Sequence, residues 1–328
     1  MGELLKKLGE LQIGSTRFTV ELNKSTHRGN AYDIHIQNDR FRLNLSERDF
    51  CRMASAVING EDKIRRYKNG GGMSNPGVIL LAKTKTAWGE FLIEDNLGEA
   101  VHLHLGEIRA DLTIDDFRQM AEQCTEILDN FISLQEFSCK ELNPVFLSQI
   151  AHMLPDLEEV QKRQMELHRF RIQTKNKYGI PVIQKVKDSR ILKALQGDHR
   201  EDDGFSQQEN HIFQSNAERT AENLRIIEAE GYDPDKGMIV IFNGQEFIRD
   251  GQHRAAALYF LGKNDPVETL DLVFRDRRYS LPRHPAIHFF LCWNLKKVKK
   301  ALLVLPAQAW KKRRKVQRIC FRMLHSVR

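Results

Sequence analysis

Residues 237–274 read GMIVIFNGQEFIRDGQHRAAALYFLGKNDPVETLDLVF. Met238 to Phe242 is a β-branched and aromatic run, which predicts a strand. Asn243-Gly244 follows, two residues that tolerate positive φ, so a hairpin is expected, with Gln245 to Arg249 returning as a second strand. Asp250-Gly251-Gln252-His253-Arg254 then opens a helix that packs through Ala255, Leu258 and Tyr259 and stops at Gly262. Asn264-Asp265-Pro266 turns the chain, and Leu270, Leu272 and Phe274 alternate as one face of a third strand.

The pentad Asp250 to Arg254 is the candidate site. A glycine between strand and helix is expected to let backbone approach a ligand closely. The N–H groups of the first helical turn, with His253 and Arg254 beside them, suit an anion. A structural role, with Asp250 capping the helix, is the alternative.

A hairpin, this pentad and an alanine-rich helix together resemble the ParB/sulfiredoxin-like superfamily, in which a Gly-x-His-Arg or Gly-Glu-Arg-Arg element at a helix start holds nucleotide phosphates. The resemblance covers about residues 177–276 and is nearest the Asp-Gly-x-His-Arg form of free-serine kinases. It implies a domain binding ATP or CTP with Mg²⁺, with Gly251, Gln252, His253 and Arg254 as the nucleotide-binding residues. Asp250 and His253 take the catalytic places, and Asp250 stands near the metal. Sulfinic-acid reduction is excluded, because the cysteine that it needs inside the motif is Gln252 here. The implied function is a phosphotransferase or nucleotide hydrolase acting on a small hydroxylated substrate. The alternatives are a nucleotide-dependent DNA-binding protein of ParB type and a nucleotide-sensing scaffold. ParB proteins carry a helix-turn-helix after this domain, and no convincing one follows here.

At 328 residues the chain is long enough for more than one core. Its five cysteines are scattered without a C-x-x-C pair. Neither a zinc site nor a disulfide framework is expected, and a reducing cytosol fits. Met1 to Gly14 has too short an apolar stretch for a signal peptide, and no run reaches transmembrane length. The net charge of +7 is unevenly placed: no acidic residue follows Asp276, where 15 Lys and Arg stand.

The expected fold class is α+β in four parts: a duplicated βββα domain (1–133), a helical connector (134–176), the ParB/sulfiredoxin-like domain (177–276) and a basic amphipathic helical tail (277–328). In the first part Ile34-His35-Ile36, Phe41 to Ser46 and Asp49-Phe50 are echoed by Leu103-His104-Leu105, Ile108 to Thr113 and Asp116-Phe117. Arg17–Leu22 and Trp88–Ile93 supply a preceding strand to each copy, and Ser46 and Thr113 cap the helices. His35, His104, Arg42 and Arg109 recur, but with no second ligand at a metal-binding spacing they read as exposed sheet residues. Gly70 to Gly72 lacks the Lys-Ser/Thr of a P-loop and reads as a linker.

In the connector, apolar residues at spacings of three and four (Leu157, Val160, Leu167, Phe170) predict a helix from Asp156 to Ile172. The acidic loop Gln196 to Asn210 stands where the serine kinases place a base. In the tail, Phe290, Trp293 and Leu295 beside Lys296, Lys297, Lys299 and Lys300 suit an anionic membrane surface, nucleic-acid phosphates, or docking on the acidic body. The expected location is cytoplasmic, with peripheral attachment to the inner face of a membrane.

Overall fold

The computed structural model describes residues 2–26, 31–70, 77–96, 99–175, 181–198, 215–263 and 265–280. Most of the linker at Gly70 to Gly72, most of the acidic loop, and the tail from Leu281 onward lie outside them. The described chain is mixed α+β, with four small sheets and six α-helices. Among the described residues no helix is long and apolar enough to cross a membrane.

Two antiparallel four-stranded meanders open the chain. The first is β1 (Leu4–Ile13), β2 (Thr16–Lys24), β3 (Tyr32–Gln37) and β4 (Arg42–Ser46), followed by α1 (Glu47–Gly70). The second is β5 (Val78–Thr86), β6 (Gly89–Asn96), β7 (Ala100–Leu105) and β8 (Ile108–Leu112), followed by α2 (Ile114–Ile132). Each repeat is therefore ββββα, not the expected βββα. The strands missed are β1 and β5, whose pairing slips at Leu4/Lys6, Lys7/Gly9 and Leu80/Ala82. Such bulges spoil the alternation that marks a strand. The caps are where the sequence puts them: Ser46 Oγ accepts from Asp49 N–H at 3.1 Å, and Thr113 Oγ1 from Asp116 N–H at 3.1 Å.

The helices cross over. α2 lies on β1 of the first repeat, where Asn130 Nδ2 donates to the Leu8 carbonyl at 2.8 Å and Gly9 leaves room for Ile127. In the mirror arrangement α1 lies on β5 of the second repeat, and buried Lys63 donates to the Leu81 carbonyl. Each helix thus also lies on the other repeat's sheet, and residues of both repeats form one core. Cys51, Cys124 and Cys139 are buried in it as free thiols, and burial pushes the Cys124 thiol up to about 12.

The repeated histidines are corrected. His35 pairs with Asn44 and His102 with Asp111, so the counterpart of His35 is His102 and that of Gln37 is His104. His35 and His102 are buried and His104 is half-buried, not exposed as expected, and β3 and β7 are inner strands of their sheets.

The connector is also corrected. α3 (Pro144–Ile150), capped by Asn143, is helical, but Leu157–Met165 is strand β9. After it come β10 (Arg171–Lys175), β11 (Pro181–Lys185), β12 (Ile239–Phe242) and β13 (Val267–Phe274), and the charged residues of β9 suit the edge that it occupies in a three-stranded sheet of order β12-β13-β9. β13 is the centre of that sheet, antiparallel to β9 and parallel to β12. The expected hairpin is corrected in turn. The chain does reverse at Asn243 (φ 51°) and Gly244 (φ 71°), but the return arm makes only single bridges, Phe247 to Arg171 and Asp250 to Val240. β12 gives one edge to β13, and on the other Val240 is bonded to Arg249 and Asp250.

This sheet separates two cores. Val240, Phe242, Leu270, Leu272 and Phe274 face the core shared with the repeats and α3. Ile239 and Ile241 face a second core, with Ala255, Ala256, Ala257 and Leu258. Burial on both faces explains the unbroken apolar run of β12. Around the second core stand α4 (Arg190–Leu195), α5 (Asn216–Glu230) and α6 (Gln252–Phe260).

Candidate functional site at the start of α6

Asp250 ends the return arm, and Gly251 begins α6 in the left-handed region at φ 86°. A β-carbon on Gly251 would lie 3.0 Å from the Ile239 Cα and 3.3 Å from the Met238 carbonyl oxygen. The glycine is thus needed for its φ and for close contact with β12. The expectation that its bare face approaches a ligand does not hold.

What does face outward is the first turn. The first helical hydrogen bond runs from Ala255 N–H to the Gly251 carbonyl, and among the described residues no side chain caps the helix. The amides of Gln252, His253 and Arg254 precede that bond, on half-buried residues, with the positive end of the helix dipole behind them. Asp250 does not cap α6, so the capping alternative is not the arrangement seen.

α5 supplies what the motif lacked. A capping box sets its start, with Ser215 Oγ accepting from Glu218 N–H and Glu218 bonding back to Ser215 N–H. That start aims Asn216, Arg219 and Thr220 at the pentad. Thr220 Oγ1 donates to the Asn216 carbonyl at 2.7 Å and also contacts His253 Nδ1. The single hydroxyl proton is spent on Asn216, so His253 donates through Nδ1. The histidine is held by its tautomer and ring plane.

The charges converge. Arg254 lies against Gly237, where a β-carbon would come within 2.3 Å of the guanidinium. Beneath it, Tyr232 Oη donates to the Glu268 carbonyl at 2.8 Å and accepts from Ile239 N–H at 3.2 Å, fixing that segment. Burial raises the Asp250 carboxyl above the usual range, against the opposing pull of Arg254, the Gly251 backbone and Arg219. Burial also lowers Arg219; Asp250 favours its charge, while Arg66 and Arg254 oppose it. Arginines from three helices therefore act on one another, with Asp250 and Glu222 opposing them at Arg219 and Asp62 paired to Arg66 at 2.7 Å.

The structure brings Asp250, Gly251, Gln252, His253 and Arg254 together with Arg219, Thr220 and Asn216. Arg219 and Thr220 carry a weak sequence signal, one turn inside a capped helix that precedes the motif. Among the described residues, Asp250 belongs to no cluster of metal-ligating side chains. Compared with known proteins, the chain matches no family model, and no curated protein or solved structure is significantly similar to it.

Proposed function

We propose that the start of α6 binds the phosphates of a nucleotide, as expected for a ParB/sulfiredoxin-like domain. The observation that carries this reading is the start of α6 at Gly251, which among the described residues has no side-chain cap, with the charges of Arg254 and Arg219 acting together beside Asp250. A helix start carries partial positive charge and neighbouring guanidiniums add to it, so an anion there is favoured. Two guanidiniums facing Asp250 oppose a divalent cation on that carboxylate. Mg²⁺ would therefore come with the nucleotide, held by its phosphate oxygens.

The reaction that this site suits is transfer of the γ-phosphoryl group of ATP to a hydroxyl group. The O–γP bond to ADP breaks, the phosphate ester forms, and the hydroxyl proton goes to a base. The carboxylates of the acidic loop, from Asp198 onward, are candidates for that base. Positioning and charge neutralisation supply most of what such a step requires.

The test is a thermal-shift screen of ATP, ADP, CTP and GTP with Mg²⁺, followed by titration of variants. Arg254→Ala should cost about 1.5–3 kcal/mol of affinity, the range for a charged hydrogen bond. Arg254→Lys should recover only part, since a point charge cannot reproduce the fork. Unchanged affinity in a folded Arg254→Ala protein would refute the reading.

A further inference from the structure

The second sheet carries a cluster that the nucleotide reading does not use. Glu94 on β6 pairs with His102 on β7, which pairs with Asp111 on β8, so the three point to one face. His104, two residues along β7, shares that face. One ligand atom from each of Glu94, His102 and His104 lies within 4.8 Å of the others. His104 Nε2 is 3.5 Å from Glu94 Oε2, close to the edge of about 3.4 Å that ligands at about 2.1 Å define on a tetrahedron. That nitrogen is shielded from solvent and makes no hydrogen bond. A buried, unpaired imidazole nitrogen is an unusual expense in a folded protein.

We propose that Glu94, His102 and His104 bind one divalent first-row transition ion of the Zn²⁺ type. Two imidazoles and a carboxylate suit such an ion, and the three leave a fourth position for water or for Asp111, whose Oδ1 stands 3.8 Å from His102 Nε2. Arg109 now occupies the neighbourhood, donating to His102 Nε2 at 3.0 Å and to Asp111 Oδ1 at 2.6 Å. Its half-exposed side chain is a resident cation that a metal would displace.

The first repeat is an internal control. In the corresponding places it has Glu21, His35, Gln37 and Asn44, and Gln37 Nε2 donates to Glu21 Oε2 at 2.7 Å. There the carboxylate is satisfied by an amide, a poor ligand for such ions. The second repeat has His104 and Asp111 in place of Gln37 and Asn44, both changes towards metal ligation.

The test is titration of the full chain with Co²⁺, read by its visible d–d absorption, and competition by Zn²⁺. One equivalent should bind with the band intensity of a four- or five-coordinate ion. His104→Gln installs the residue that the first repeat already tolerates, and it should weaken binding at least tenfold; Glu94→Gln should do likewise. Arg109→Ala should tighten binding by removing the competing cation. The chain has 12 histidines, so adventitious binding is a real outcome. Binding that is not saturable at one equivalent, or that both ligand variants leave unchanged, overturns the proposal.

Discussion

Replacing Glu47 by Gln should stabilise the protein at pH 8 and leave it nearly unchanged at pH 5. Glu47 opens α1 in a recess lined by Leu22, Tyr32, Leu154 and Leu157. Desolvation raises its carboxyl from 4.5 to about 7; Arg48 opposes the rise, while Asp156 and Asp33 add to it. Between those two values the native chain holds a proton that the unfolded chain has released, so stability falls as pH rises through the window and is level above it. At about 1.36 kcal/mol per unit, the full shift is worth roughly 3 kcal/mol. Solvent screening of a half-buried group brings the expectation to about 1–3 kcal/mol. Urea unfolding of both proteins at pH 5, 6, 7 and 8 measures it, provided that the slopes agree. A difference between the two proteins that is constant across this range would refute the reasoning, since it would mean that Glu47 titrates alike in both states.

Two further substitutions test the sheet that carries the site. Arg163→Ala removes the guanidinium 2.9 Å from fully buried Asp271, whose Oδ1 also accepts from Gly244 N–H at 3.0 Å. The cost should be about 3 kcal/mol, because a buried carboxylate is left uncompensated, and adding Asp271→Asn should return part of it in the same unfolding assay. Gly251→Ala should cost about 2 kcal/mol or more, from the left-handed φ and from contact with Ile239. Gly251→Asn, which tolerates that φ better, should rescue little; full recovery would mean that φ alone mattered.

Patterning revealed the parts of this fold in which one residue type does one job. The caps at Ser46 and Thr113, the turn at Asn243-Gly244 and the helix after Gly251 were legible because each is decided within a few residues. β9 was not, because Leu157, Val160, Leu167 and Phe170 imitate a helical stripe while β13, a hundred residues away, decides the conformation. β1 and β5 were hidden by their bulges. The histidines were misread for a related reason: exposure was inferred from alternation, whereas β3 and β7 are inner strands with a neighbour on each side, which only pairing identifies. At the candidate site, the motif offered only Asp250 to Arg254, which are consecutive in the chain. Arg219 and Thr220 could not be assigned to it until α5 was placed against α6.

The alternation along β12 explains why a site can be held rigidly at a turn that lacks a side-chain cap. Ile239 and Ile241 are tied to the core beneath α6, and Val240 and Phe242 to the core of the repeats. The Asp250 bridge is made to Val240, whose N–H donates to the Asp250 carbonyl at 3.0 Å, while Gly251 rests on Ile239. The turn is thus anchored through adjacent residues to two different cores, and it cannot relax without disturbing one of them. Preorganisation of this kind lets backbone amides hold an anion without reordering at the moment of binding. It also gives the repeats a part in the site. They close the core on which Val240 rests, and Arg66, from the last turns of α1, adds its charge to the field at Arg219. If the pentad holds an anion as proposed, it does so on a turn tied to both cores, in a field to which three arginines contribute.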